Sequence, residues 1–154
     1  MSDSGRSLPL TDLSQDESSF RELVREFAEE KIRPLVHEMD EDESIPRELI
    51  DACFELGIMG IEIPEEHGGA EAPFFMSILA IEELARVDPS IAVLVDVHNT
   101  LVNNALLRWA SEAQKKQYYP KLASNWVGAY ALSEADSGSD GCSAGGGGVG
   151  RVLG

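Results

Sequence analysis

Asp88-Pro-Ser-Ile-Ala-Val-Leu-Val-Asp-Val-His-Asn-Thr-Leu-Val-Asn-Asn-Ala-Leu-Leu-Arg-Trp109 is the stretch on which the fold turns. Asp88-Pro89 pairs a helix N-cap with a proline at the first helical position, where its missing N–H costs nothing. From Ile91 to about Trp109 the segment is apolar almost all round, which a helix tolerates only when buried or in lipid. A membrane span needs ~20 predominantly apolar residues, and Asp96, His98, Asn99, Asn103 and Asn104 interrupt this one. The expectation is the central buried helix of an all-α bundle.

Amphipathic partners for that helix lie on both sides of it. Upstream, Ser14-Gln-Asp-Glu17 fits an S-x-x-E capping box. It opens a stripe of Phe20, Leu23, Val24 and Phe27, then Ile32, Leu35, Val36 and Met39, each spaced i, i+3, i+4, i+7. Pro34 falls inside this helix and is expected to kink it. The acidic run Asp40 to Glu43 reads as a solvated turn. A second helix is expected from Pro46 to Leu56, burying Leu49, Ile50, Cys53 and Leu56, with Gly57 as its left-handed cap. Met59 to Pro64 is too short for a helix, and Pro64 with Gly68-Gly69 reads as a loop. Helical spacing resumes from Pro73 to Val87, with Phe74, Ile78, Ile81 and Ala85 on one side and Glu82 and Glu83 near the other. Ser111-Glu-Ala-Gln114 offers a further capping box for a short helix carrying Tyr118 and Leu122. Trp126 to Leu132 is short, aromatic and rich in β-favouring residues, and is expected to be one strand leaving the bundle.

The chain has 154 residues, enough for one domain with a sizeable core. Its 28 acidic against 12 basic residues give a formal net charge of -16, so phosphate backbones are repelled and no nucleic-acid partner is expected. Cys53 and Cys142 are too few for a disulfide framework and fit a reducing compartment. Met1 to Ser7 has no apolar core of a signal peptide and lacks transit-peptide character. A bacterial cytoplasmic setting is the simplest reading, with the mitochondrial matrix as the alternative for a mature eukaryotic form.

Chemistry concentrates after the expected strand, in Ser133-Glu-Ala-Asp-Ser-Gly-Ser-Asp140. A Ser/Gly-rich turn following a strand supplies free backbone N–H groups, hydroxyl donors and glycine freedom, the ingredients of a pyrophosphate-binding nest. On composition alone an ordinary surface turn is the favoured reading, since Ser, Gly and Asp are common in any such turn. Other tempting residues read as structural. His37, His67 and His98 share no metal-ligand spacing with each other or with the cysteines, so no metal is expected. Trp109 and Trp126 read as packing residues, and Glu134 as structural. Gly145-Gly-Gly-Gly-Val-Gly150 satisfies G-x-G-x-x-G, but the chain ends four residues later, without the helix that a dinucleotide site requires.

Ala131-Leu-Ser-Glu, two variable residues, then Ser-Gly-Ser-Asp140 resembles the signature of the acyl-CoA dehydrogenase family, with Ser143 fitting its final small residue. Gly57 to Gly69, Ile81-Glu-Glu-Leu-Ala-Arg86 and Gln114 to Leu122 resemble further family segments, in the family's order and spacing. His98-Asn-Thr-Leu101 is most similar to the short/branched-chain subgroup. The likeness covers about residues 8 to 141. It implies a flexible N-terminus over 1–13, an N-terminal helical domain over 14–125 and the start of a β-domain over 126–141.

The resemblance implies FAD as cofactor, with Tyr130 and Leu132 along the flavin ring beside Ala131. Ser133 is then near the reactive edge, and Gly138 and Ser139 at the pyrophosphate. It implies an acyl-CoA substrate touching Ser139 and lying against Leu94, Val97 and Leu101, whose bulk suggests a short or branched acyl group. The implied reaction is α,β-dehydrogenation, with electrons passing to an electron-transfer flavoprotein and a homotetramer as the assembly. The family's catalytic glutamate lies in a later domain, so no catalytic residue is assigned here. Residues 142–154 depart from the family pattern and read as a truncated or out-of-frame, disordered tail, so the fragment is expected to be inactive alone. A non-catalytic helical module, binding a partner protein through the face that further domains normally cover, is the alternative.

Overall fold

A computed structural model describes residues 12–133. Among them the fold is helical throughout: α1 (Gln15–Phe27), α2 (Val36–Asp42), α3 (Arg47–Glu55), α4 (Phe74–Ala85), α5 (Pro89–Asp96), α6 (Asn104–Trp109) and α7 (Glu112–Leu122). The expected all-α bundle is what forms. The local signals hold as well. Ser14 and Ser111 each form a complete capping box, the Asp88 side chain accepts from the Ile91 N–H, and Gly57 sits at φ 85°. Around Pro34 the regular ladder gives way to a π-helical turn (Ala28–Ile32) and a 3-10 turn (Arg33–Leu35) before α2 resumes. The acidic run is exposed, but Asp40 to Asp42 belong to α2, and the turn begins at Glu43, at φ 50°.

Helix α4 packs against α1 on one side and α5 on the other. Val24, Ala28 and Ile32 meet Ala80, Leu84, Ile91, Ala92 and Val95 in the main core, which extends to Leu49, Cys53 and Phe54 of α3. Ile63, Tyr119 and Leu122 form a smaller core with Val102, Leu106 and Trp126. The apolar side chains removed from water in these two clusters supply the driving force for the bundle.

Three expectations are corrected by the packing. On α4 the inward residues are Ser77, Leu79, Ala80, Glu83 and Leu84, while Phe74 and Ile78 are exposed. Glu83 faces inward because the Arg25 guanidinium meets its carboxylate with two hydrogen bonds of 2.8 and 2.9 Å, and Arg86 adds a third contact at 3.4 Å. The hydrogen bond from Arg25 holds that carboxyl below the usual carboxylate range. Trp126 to Leu132 forms no strand, since a strand exists only through ladder bonds to a neighbour and the described residues include none to pair with. Trp109, expected to pack, is 78% exposed, whereas Trp126 is half-buried with the Lys121 ammonium 4.4 Å above its ring.

Candidate functional site

The helix through residues 89–109 is buried along one side only, and four polar residues face inward along with Ile91, Ala92 and Val95. Between α5 and α6 it passes through a π-helical segment (Val97–Asn103). His98, Asn99, Asn103 and Asn104 are buried, while Val93 (58%), Leu101 (43%) and Trp109 stand exposed. This corrects the expectation of a helix buried all round, since Val93, Leu101, Leu107 and Trp109 are exposed while four polar residues lie inside. The cause is the neighbour: residues 57–63 form an irregular turn whose backbone groups need partners.

Asparagine, with both a donor and an acceptor, supplies them. Asn99 Nδ2 donates to the Ile58 carbonyl at 2.8 Å and to the Val95 carbonyl at 3.0 Å, and its Oδ1 accepts from the Ile61 N–H at 3.3 Å. Asn103 Nδ2 donates to the Met59 carbonyl at 3.2 Å, and Asn104 Nδ2 reaches the Glu62 carboxylate at 3.3 Å. The Ser77 hydroxyl donates to the same Glu62 oxygen at 3.1 Å. Tyr119 OH donates to the Asn103 carbonyl at 3.2 Å; burial pushes its phenol up to about 12.

The segment that follows α7 is hydrogen-bonded to this helix at one point among the described residues. The Gly128 N–H donates to His98 Nδ1 at 2.9 Å, so the ring proton sits on Nε2 and donates to the Leu122 carbonyl at 3.0 Å. Burial lowers the imidazole to about 4, so it is neutral near pH 7. Gly128 also lies against Val102, where a Cβ would fall 2.7 Å from Cγ1. Beyond it, Ala131 and Ser133 are exposed, as are Tyr130 (55%) and Leu132 (56%), and no described residue hydrogen-bonds the backbone of 129–133.

These observations place seven of the expected site residues. Tyr130, Ala131, Leu132 and Ser133 form one exposed run leaving the bundle, and no described residue hydrogen-bonds their backbone groups. Leu94 and Val97 are half-buried and Leu101 is exposed, all on the helix that carries His98. Gly138 and Ser139 lie outside the described residues, as do Glu134, Cys142 and the glycine-rich run 145–150. His98 is the residue whose importance the sequence understates. Its signal there is a lone imidazole in an apolar segment, and its two partners are 24 and 30 residues away.

Cys53 is buried and its thiol is pushed up to about 12 by burial, so it is inert packing. Among the described residues no cluster of three or more His, Cys, Asp or Glu could hold a metal, and no helix is long and apolar enough to cross a membrane.

Comparison with known proteins gives this geometry a context. Residues 14–125 match the model of the acyl-CoA dehydrogenase N-terminal domain. The chain is 50% identical over 132 residues to a probable short/branched chain specific acyl-CoA dehydrogenase of Dictyostelium discoideum, covering 86% of this chain and 32% of that protein. It superposes on butyryl-CoA dehydrogenase from Megasphaera elsdenii with a TM-score of 0.78 and 32% identity, over 84% of this chain and 35% of that one. A glutaryl-CoA dehydrogenase from Mycobacterium smegmatis, solved in complex with FADH2, gives a TM-score of 0.78 at 30% identity, over 85% and 34% of the two chains. The chain thus spans about a third of the length of the curated relatives it matches. With a family model covering most of its length and a shared helical fold, the chain belongs to the acyl-CoA dehydrogenase family, as its N-terminal domain.

Proposed function

We propose that this chain is the N-terminal part of an FAD-dependent enzyme that desaturates a short or branched acyl-CoA between its α and β carbons. The observation that carries the proposal is the 50% identity to a relative named as short/branched-chain specific, sustained over 86% of the chain. Within it, Tyr130, Ala131, Leu132 and Ser133 contact the flavin from the exposed run described above, and Gly138 and Ser139 continue the same site. Leu94, Val97 and Leu101 line the acyl group, on the helix that carries the buried His98. Residues 126–141 begin the next domain in this reading.

FAD, when bound, supplies a hydride acceptor for the β carbon while a carboxylate from another part of the whole enzyme takes the α proton. The two electrons then pass to an electron-transfer flavoprotein, and the whole enzyme assembles as a tetramer. Its compartment is the cytoplasm in a bacterium or the mitochondrial matrix in a eukaryote.

A chain of about a third of its relatives' length is proposed not to turn over alone. The test is anaerobic reduction of a dye acceptor by the purified chain with FAD and butyryl-CoA or 2-methylbutyryl-CoA. No turnover is expected, and robust turnover refutes the proposal of an inactive part. A second reading, a helical module that docks a protein partner, draws support from exposed Val93, Leu101, Leu107 and Trp109. A monodisperse monomer that melts cooperatively without FAD favours the module; aggregation of the isolated chain favours part of an enzyme.

A further inference from the structure

We propose that His98 is a positioning residue: through the Gly128 N–H it fixes where the Tyr130–Ser133 run leaves the bundle, relative to the helix carrying Val97 and Leu101. Its functional meaning rests on the flavin and acyl-CoA reading above, which assigns the run to the cofactor and the helix to the substrate.

Three observations support it. First, His98 is fully buried and uses both ring nitrogens on backbone groups of other segments, accepting from Gly128 and donating to Leu122. A neutral imidazole can accept at one nitrogen and donate at the other with no freedom to swap roles while both partners stay in place. Phe54 packs edge-on against the ring, with centroids 5.9 Å apart and planes at 88°, which limits its tilt. Second, the contact at Gly128 is tight on its other side, because Val102 leaves no room for a Cβ. The backbone is therefore held between a hydrogen bond from one residue of the helix and a van der Waals wall from another, four positions on. Third, nothing else described holds the backbone of 129–133. Tyr130 is two residues past Gly128, so its Cα lies within about 7 Å of that anchor. A shift of the anchor is carried directly to the flavin-facing residues.

Val97 and Leu101 share this helix with His98 and Val102. The same rigid element therefore supplies both the acyl-facing surface and the clamp on the flavin-facing run, and His98 sets the distance between them.

The test uses the 154-residue chain and three variants, His98→Gln, His98→Leu and Gly128→Ala, each studied well below its own melting temperature. Amide exchange and nitrogen–proton spectra read the position of Gly128 and of residues 129–133 directly. Leucine fills the imidazole space but leaves the Gly128 N–H without an acceptor. It is expected to speed Gly128 exchange by about tenfold or more and to move the 129–133 amides, while α1 and α4 amides stay in place. Glutamine offers both a donor and an acceptor and is expected to restore the wild-type pattern. Gly128→Ala disturbs the same amides from the opposite side, without touching the imidazole. Unchanged Gly128 exchange and unchanged 129–133 signals in His98→Leu overturn the proposal. Disturbance in His98→Gln equal to that in His98→Leu also overturns it, since only the ring's bulk is then at issue. Added FAD, followed by quenching of its fluorescence, gives a separate readout. Binding weakened about tenfold in His98→Leu and regained in His98→Gln supports the functional link. No FAD binding by the wild-type chain overturns the flavin assignment for this chain, while the exchange data still decide the role of His98.

Discussion

Asn99→Leu and Asn103→Leu look alike on paper: each swaps an amide for an aliphatic group of similar size on one buried helix face. The structure sets them apart. Asn99 satisfies two backbone groups of the 57–63 turn, the Ile58 carbonyl and the Ile61 N–H, neither of which has another described partner. Leaving a buried backbone group unpaired costs about 1–3 kcal/mol, so two cost about 2–6 kcal/mol. Burying an aliphatic side chain in place of the amide returns about 1–2 kcal/mol. The net loss for Asn99→Leu is about 3 kcal/mol, which for a chain of this size lowers Tm by about 10 °C. Asn103 gives one 3.2 Å hydrogen bond to the Met59 carbonyl, and its own Oδ1 is buried with no described partner. Asn103→Leu orphans one carbonyl but removes one acceptor already orphaned, so its net cost is within about 1 kcal/mol. Thermal melts followed by helical circular dichroism, with urea titrations to confirm two-state behaviour, measure both. Equal losses, or a larger loss at Asn103, refute the hydrogen-bond argument and put side-chain volume in its place.

Two further outcomes follow from the same structure. Burial holds His98 near pKa 4 in the folded chain, against about 6.5 when unfolded, so between those values the unfolded chain binds the extra proton. Stability from this group is full above about pH 6.5 and is lost as pH falls towards 4, by up to about 3 kcal/mol. Glu83 acts in a different window, because its lowered carboxyl releases its contribution only as pH falls below the ordinary carboxylate range. Urea midpoints from about pH 7 to pH 5 are therefore expected to fall in the wild type and stay nearly flat in His98→Gln; parallel slopes contradict this. At the 57–69 turn, a Cβ on Gly69 would overlap the Ile63 backbone, whereas one on Gly57 meets nothing within 4 Å. Gly69→Ala is expected to cost about 3 kcal/mol from backbone overpacking, and Gly57→Ala about 1 kcal/mol from its left-handed φ; melting curves that rank them the other way contradict the geometry.

Much of this protein is legible in its sequence because the deciding interactions are local. The capping boxes at Ser14 and Ser111, the Asp88 cap and the Gly57 turn each close within three or four residues, and each formed as read. The all-α bundle follows from helical spacing, and the family from segments that keep its order.

The inward faces followed only in part: Leu49 and Cys53 of α3 are buried as read, but the buried polar residues depend on distant partners. Glu83 is buried because Arg25, 58 residues away, meets its carboxylate. His98 and Asn99 face inward because Gly128, Leu122, Ile58 and Ile61, 24 to 41 residues away, present backbone groups that only a polar side chain can satisfy. The strand expected over 126–132 failed for the related reason that pairing is never a property of one segment. Local hydrogen bonds and periodicity determined which residues are helical. Tertiary structure alone decided which polar side chains of α4 and of the 89–109 helix lie inside, because a buried polar group is stable only where another segment completes its hydrogen bonds.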